Sequence, residues 1–283
     1  MNFEQTAHTI MTTIELSQWT IFATSGVVAI VLGLGALWRE RLDGRRGVML
    51  MGAALFAGLY VGHWTALAFK PHRVFADPMS LLLLTRGGVC SLGVYGGAAL
   101  GMAALARFNR WPFWRYADAF APGLLVAAAI ARTSCLLHGC DFGRVASSTL
   151  PWAIRYPRGT SAFRYLNTQG WVDAYRDVGV PMHPFPLYEA VPVLLVGLGV
   201  LWAPNILGER PGQRAAGCAA LYCGIRAMAE HFRAVDTVMF GEVTVLQGLC
   251  MGGCALFTGY WIACARGDAY AMETHHHAVT THR

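Results

Sequence analysis

Seven stretches of the chain, at roughly 17–38, 48–69, 88–106, 117–137, 187–207, 216–232 and 242–264, are each apolar over about the length that crosses the hydrocarbon core of a bilayer. A chain of 283 residues with 55% hydrophobic and only 13% charged residues is too apolar to fold around one water-soluble core. Its mean hydropathy is +0.42. Because hydrocarbon offers backbone amides no water, each stretch has to satisfy its own hydrogen bonds as a helix. The expected fold class is all-α: a polytopic integral membrane protein with about seven transmembrane helices. Several stretches are rich in Gly and Ala, as close helix packing in lipid favours. No basic segment precedes the first one, so it reads as a retained span rather than a cleaved signal peptide.

Orientation follows from the short loops. Arg39, Arg41, Arg45 and Arg46 follow the first stretch, Arg107, Arg110 and Arg115 the third, and Arg210 and Arg214 the fifth, whereas residues 1–16 hold no Lys or Arg. Lys70, Arg73 and Arg86 run against this bias. The expectation is N-terminus out and C-terminus in, and the net charge of +6 is then a topology signal rather than a nucleic-acid-binding surface. The organisation expected is an external segment at 1–16, an integral domain at 17–267 with an external arm at about 138–185, and a cytoplasmic tail at 268–283. That tail carries His275, His276 and His277, read as a polar end rather than a metal site.

One stretch breaks the apolar pattern. In LYCGIRAMAEHFRAVD, at about 100° per residue, Tyr222, Arg226, Glu230 and Arg233 fall at roughly 0°, 40°, 80° and 20° on the helix. They form one polar stripe at membrane depth, which requires protein, water or counter-charge opposite it. Two guanidiniums with one carboxylate between them leave a positive charge unspent, and the commonest anion in a bilayer is a lipid phosphate. The competing reading is a structural Arg-Glu-Arg network that ties helices together.

Two further constellations carry chemistry. Arg132 opens ARTSCLLHGCDFGR, where Cys135, His138, Cys140 and Asp141 lie close together without the spacing of a standard zinc site. Cys135 and Cys140 could instead form a disulfide, given a non-helical turn between them. In HPFPLYEA, His183, Tyr188 and Glu189 stand at the entrance of the fifth stretch, with prolines suited to a helix start. His183 can act there as an acid or base, or as an interfacial anchor and cap.

Arg132–Arg144, His183–Ala190 and Tyr222–Asp236 occur in the order and spacing of the bacterial prolipoprotein diacylglyceryl transferases, which the chain resembles from about residue 78 to about residue 262. The third block matches at Tyr222, Arg226, Glu230, Arg233 and Asp236, with Gln247 and Gly248 following in looser form. The second matches at His183, Pro184, Leu187, Tyr188 and Glu189, and the first at Arg132, Gly139, Gly143 and Arg144. The resemblance implies an enzyme of the bacterial inner membrane that moves diacylglyceryl from phosphatidylglycerol to the lipobox cysteine of a prolipoprotein signal peptide, releasing glycerol phosphate. Its partners are then phosphatidylglycerol, prolipoprotein signal peptides and membrane lipids, with no nucleic acid and no redox or metal cofactor. By the same resemblance Arg132 and Arg226 grip the phosphate, Tyr222 meets the headgroup, and Glu230 with Arg233 orders the outer gate. Gly143, Tyr188 and Glu189 are carried over as substrate-binding positions, and Tyr95 is expected to be another.

Departures from the family pattern cluster. The family has Asn three residues after the arginine of the first block, where this chain has Cys135; the family's next Asn and acidic positions hold His138 and Cys140. The family's His-Gly-Gly on the third span, whose histidine is a candidate base, corresponds to GGVCSLGVYGG, with Leu92 or Tyr95 at that point. Neither is a base at neutral pH. Either the role has moved to His138 or His183, or the chain is a paralogue that binds an anionic lipid as a scaffold or translocator.

Overall fold

The computed structural model describes residues 3–68, 71–84, 88–234, 238–240 and 243–266. The tail with His275, His276 and His277 and the positions of Lys70, Arg86 and Asp236 lie outside them. Among the described residues the α-helices are α1 (Phe3–Arg39), α2 (Gly44–Ala68), α3 (Pro71–Ala76), α4 (Ser91–Phe108), α5 (Phe113–His138), α6 (Ser161–Thr168), α7 (Phe185–Trp202), α8 (Gln213–Glu230) and α9 (Val245–Arg266). One antiparallel pair, β1 (Val238–Phe240) with β2 (Val243–Thr244), falls between α8 and α9 in the chain and is a small departure from an all-helical fold.

Each apolar stretch carries one long helix: α1, α2, α4, α5, α7, α8 and α9. Among the described residues five segments are long and apolar enough to cross a membrane, Thr20–Arg39, Gly44–Ala68, Phe113–His138, Phe185–Trp202 and Val245–Arg266. The protein is thus a mostly helical, multi-pass membrane protein. Of the other two, α4 is diluted by glycine and α8 by Arg214, Arg226 and Glu230. Large apolar side chains such as Leu124, Leu195 and Leu256 point outward, the arrangement lipid stabilises and water would not. At the other end of the chain, α1 runs back to Phe3, so most of residues 1–16 continue the first helix.

The chain divides into two compact units, Gly33–Ala119 and the combination of Met1–Leu32 with Phe120–Arg283. In the Gly33–Ala119 unit, α2 and α4 pack with backbones close together. A Cβ at Gly97 would stand 2.6 Å from the Ala57 carbonyl oxygen, and one at Gly101 would stand 2.4 Å from the Ala57 Cβ. Only glycine permits that approach. His63 on α2 is fully buried, with Nδ1 3.0 Å from the Gly88 carbonyl oxygen and Nε2 2.6 Å from that of Ser80, which ties Ser80 and Gly88 to the helix.

In the larger unit, α5, α7 and α8 meet around Leu125, Ala129, Ala190, Val193, Val200 and Cys218. Ser25 on α1 donates to the Ala127 carbonyl at 2.7 Å. The segment between α5 and α7 folds on a core of its own, formed by Tyr156, Ala162, Phe163, Leu166, Val172 and Met182. Thr160 caps α6 by accepting from the Phe163 amide at 3.2 Å, and α6 lays its apolar side on that core. Burial pushes the Tyr156 phenol up to about 12. Isolated bridges Val145↔Met182, Ile154↔Met182 and Pro157↔Val178 close the segment. Trp171 and Tyr175 remain exposed on it.

Candidate functional site

The stripe read on α8 exists and is folded inward. Arg226, Glu230 and Glu189 are each at most 4% exposed. Arg226 and Glu230 are one turn apart, and Nη1 of the first lies 2.7 Å from Oε2 of the second. Arg233, just past the helix end, reaches back so that its Nη1 donates to Glu230 Oε1 at 3.0 Å.

Other elements complete the arrangement. Glu189, in the first turns of α7, pairs with Arg132, whose Nε lies 2.9 Å from Oε1, and places Oε2 3.5 Å from Arg226 Nε. Asp141, in the turn after α5, accepts from Arg132 Nη1 at 2.9 Å and from Arg233 Nε at 2.8 Å. The six side chains close a ring: Arg132, Glu189, Arg226, Glu230, Arg233, Asp141 and back to Arg132. Three guanidiniums face three carboxylates, so the ring is neutral when all are ionised. This corrects the expectation of an unspent positive charge, which counted only the groups on one helix.

Backbone pairing explains why Arg233 and Asp141 meet. The Arg144 amide donates to the Phe232 carbonyl at 2.8 Å, the Ala234 amide to the Phe142 carbonyl at 3.1 Å, and the His183 amide to the Arg144 carbonyl at 2.9 Å. Residues 142–144 thus lie as a short extended piece between the turn after α8 and the entrance of α7. Gly143 is needed there, because a Cβ would fall 2.4 Å from the His183 carbonyl oxygen and 2.9 Å from that of Phe232.

The ring is well paired but unevenly aligned. Arg226 Nη1, Glu230 Oε2 and Glu189 Oε2 are buried without a hydrogen bond of proper geometry, although the first two are at ion-pair distance. Arg226 therefore has directional capacity left over, at the centre of the ring. Its guanidinium also stacks 4.9 Å from the Phe185 ring centroid. Tyr222 donates to Glu189 Oε1 at 3.1 Å, and Thr244 on β2 to Glu230 Oε1 at 3.4 Å. Gln247 on α9 fastens to the Ala227 carbonyl at 3.1 Å. Around Arg233, burial opposes the charge, but Asp141 and Glu230 outweigh it and hold its pKa above the ordinary arginine value.

Arg132, Glu189, Tyr222, Arg226, Glu230 and Arg233 come together, with Gly143 beside them through its backbone. His183 and Tyr188 form a second cluster. His183 Nδ1 lies 3.0 Å from Tyr188 Oη, which also accepts from Trp152 Nε1 at 2.9 Å, and the Phe232 ring packs on both. Burial lowers the pKa of His183, favouring its neutral form. His138 ends α5 with its Nδ1 buried and without a hydrogen-bond partner. Tyr95 stands on α4 in the Gly33–Ala119 unit, half exposed. The residue that sequence reasoning missed is Asp141, weighed only as a metal ligand. Its signal was positional: it is one residue past Cys140, which stands at the family's acidic position.

Comparison with known proteins gives one consistent result. The family model for prolipoprotein diacylglyceryl transferase matches residues 5–263. The phosphatidylglycerol–prolipoprotein diacylglyceryl transferase of Chromobacterium violaceum is 28% identical over 236 residues, covering 81% of each chain. That of Corynebacterium diphtheriae is 29% identical over 251 residues, 85% of this chain and 86% of its own. The protein of the same name from Aromatoleum aromaticum is 29% identical over 209 residues, 71% of each.

Proposed function

The chain belongs to the prolipoprotein diacylglyceryl transferase family, transferases of lipoprotein biosynthesis, and on that premise we propose that it moves diacylglyceryl from phosphatidylglycerol to a prolipoprotein lipobox cysteine. In this reaction a sulfur–carbon bond forms while the carbon–oxygen bond to phosphate breaks. The phosphate oxygen leaves with the electron pair, as glycerol phosphate, and the thiol proton passes to a base. Negative charge develops on the leaving phosphate, where a dry site with fixed guanidiniums is most effective.

The observation that carries this reading is the buried ring, with Arg226 at its centre incompletely aligned to its carboxylates. Arg226 and Arg132 come from two different helices and hold the phosphate by exchanging part of their carboxylate contacts for phosphate oxygens. Tyr222 meets the headgroup, and Glu189 and Glu230 keep the guanidiniums oriented when the site is empty. Arg233, bound to Glu230 and Asp141, orders the outer gate, while Gly143 and Tyr188 shape the substrate-binding wall. His183, neutral and held by Tyr188, takes the thiol proton, with His138 as the alternative.

In the bacterial inner membrane all seven long helices span the bilayer, N-terminus out and C-terminus in. The segment at about 138–185, with exposed Trp171 and Tyr175, meets headgroups and exported signal peptides on the outer side, and 268–283 is a cytoplasmic tail. A second reading, a lipid-binding paralogue without chemistry, is favoured by the neutral ring and by Leu92 or Tyr95 in place of a third-span histidine. Purified protein incubated with phosphatidylglycerol and a lipobox peptide separates the two. A peptide carrying a diacylglyceryl thioether, with glycerol phosphate released, supports the transferase; co-purified lipid without thioether, where a standard family member works, supports the paralogue.

A further inference from the structure

The turn that ends α5 brings two thiols together. The Gly139 amide bonds back to the Cys135 carbonyl at 2.9 Å, and Gly139 has φ +62°. This is the left-handed cap that commonly closes a helix, and a contact between the residue after the glycine and the residue four before it frequently accompanies it. Here those two residues are Cys140 and Cys135, and the Cys135 thiol beside it pushes the Cys140 thiol up. Both are free thiols, and Cys140 is exposed. The non-helical turn that a bridge across this spacing requires is therefore already built.

Two more observations bear on the pair. Cys135 stands one helical turn from Arg132, and Cys140 directly precedes Asp141, the carboxylate shared by Arg132 and Arg233. The departures from the family pattern at these two positions fall on the two residues that the cap at Gly139 brings together. Chance replacement of an Asn and an acid by cysteine does not require them to meet. Of the remaining cysteines, Cys218 and Cys223 sit on α8, Cys250, Cys254 and Cys264 on α9, and Cys90 just before α4.

We propose that Cys135 and Cys140 are a reversible disulfide site that clamps the turn carrying Asp141. Oxidation joins the two sulfurs, and an external disulfide, of glutathione or of a protein dithiol oxidase, accepts the two electrons and two protons and becomes two thiols. With the bridge closed, Asp141 is held on Arg132 and Arg233, and the guanidiniums are less able to exchange it for an anion. Reduction releases the turn. The bridge itself is independent of the proposed activity; its effect on turnover rests on that activity.

Trypsin cleavage after Arg132 and Arg144 yields residues 133–144, which contain these two cysteines and no others. Purified full-length protein treated with glutathione disulfide should give this peptide about 2 Da lighter and refractory to alkylation, and dithiothreitol should restore two alkylatable thiols. Recovery of the peptide with both thiols alkylatable, or with glutathione added to Cys140 alone, would overturn the proposal. Transfer by the oxidised protein should be several-fold slower than by the reduced protein, and the difference should vanish in Cys135→Ser and Cys140→Ser. A bridge that forms without changing turnover in an otherwise active enzyme refutes the clamp. If neither state transfers diacylglyceryl while the bridge forms, it is the transferase reading that fails, and oxidised protein should then bind phosphatidylglycerol vesicles several-fold more weakly; equal binding refutes the clamp there too.

Discussion

Replacing Arg226 by lysine keeps the charge and removes the geometry. Arg226 now spans two carboxylates, with Nε 3.5 Å from Glu189 and Nη1 2.7 Å from Glu230, while its planar face rests on Phe185. One ammonium can approach Glu230 or Glu189 but not hold both at these distances, and as a point charge it lacks the planar fork that grips two phosphate oxygens side by side. Losing one charge-assisted hydrogen bond to the developing phosphate costs about 1.5–3 kcal/mol. If that contact is made in the transition state, kcat/KM should fall about ten- to hundredfold. Arg226→Gln should cost more, because two buried carboxylates then lose their common cation, a situation worth about 3–5 kcal/mol of destabilisation unless one takes up a proton. The assay is transfer to a lipobox peptide in phosphatidylglycerol nanodiscs, followed by mass, with thermal unfolding of each variant recorded in parallel. Near-parental turnover in folded Arg226→Lys and Arg226→Gln would refute the phosphate-grip role.

Reporter fusions at positions 43, 112, 160 and 212 should read in, in, out and in; a cytoplasmic signal at 160 would overturn the orientation and the outward placement of the arm. Because burial disfavours the imidazolium and holds the pKa of His183 below 6.5, its neutral form persists to lower pH. Activity should therefore rise with pH through a value under 6.5 and level off above it, and His183→Gln should abolish that limb; full activity in a His138→Gln, His183→Gln double variant excludes both bases. Gly143→Ala, with its Cβ driven onto the His183 carbonyl oxygen, should lower stability by about 1–3 kcal/mol, measured as the shift in unfolding midpoint. Asp141→Asn leaves Arg132 and Arg233 without their shared charge. A loss of about 1–3 kcal/mol is expected after discounting for the part-exposed Arg233, and an unchanged midpoint would show that Asp141 is dispensable to the ring.

The ring also reframes how an anion would be held. In this neutral constellation the guanidiniums of Arg132 and Arg226 are already largely desolvated and oriented, so the cost of arranging them has been met during folding. On the proposed function, an entering phosphate would displace carboxylate contacts rather than fill an empty cationic hole. Arg226, whose Nη1 lies close to Glu230 without an aligned hydrogen bond, is the member best placed to exchange.

The sequence by itself determined whatever a short stretch of backbone encodes. The lengths of the apolar stretches placed seven long helices, because hydrocarbon leaves a spanning segment no other way to satisfy its amides. The spacing of Tyr222, Arg226, Glu230 and Arg233 placed them on one face, because a helix repeats every 3.6 residues wherever it sits. Gly139 and the thiols around it were legible as a possible turn. Only the tertiary structure decided the charge balance, since Glu189 arrives from α7 and Asp141 from the turn after α5, and no periodicity links them to α8. The extended strip at 142–144 and the separate core of the segment before α7 were likewise hidden, being built from pairings between residues far apart in the chain. An arginine's charge is written in its side chain, but whether that charge is spent depends on which carboxylates the fold carries to it.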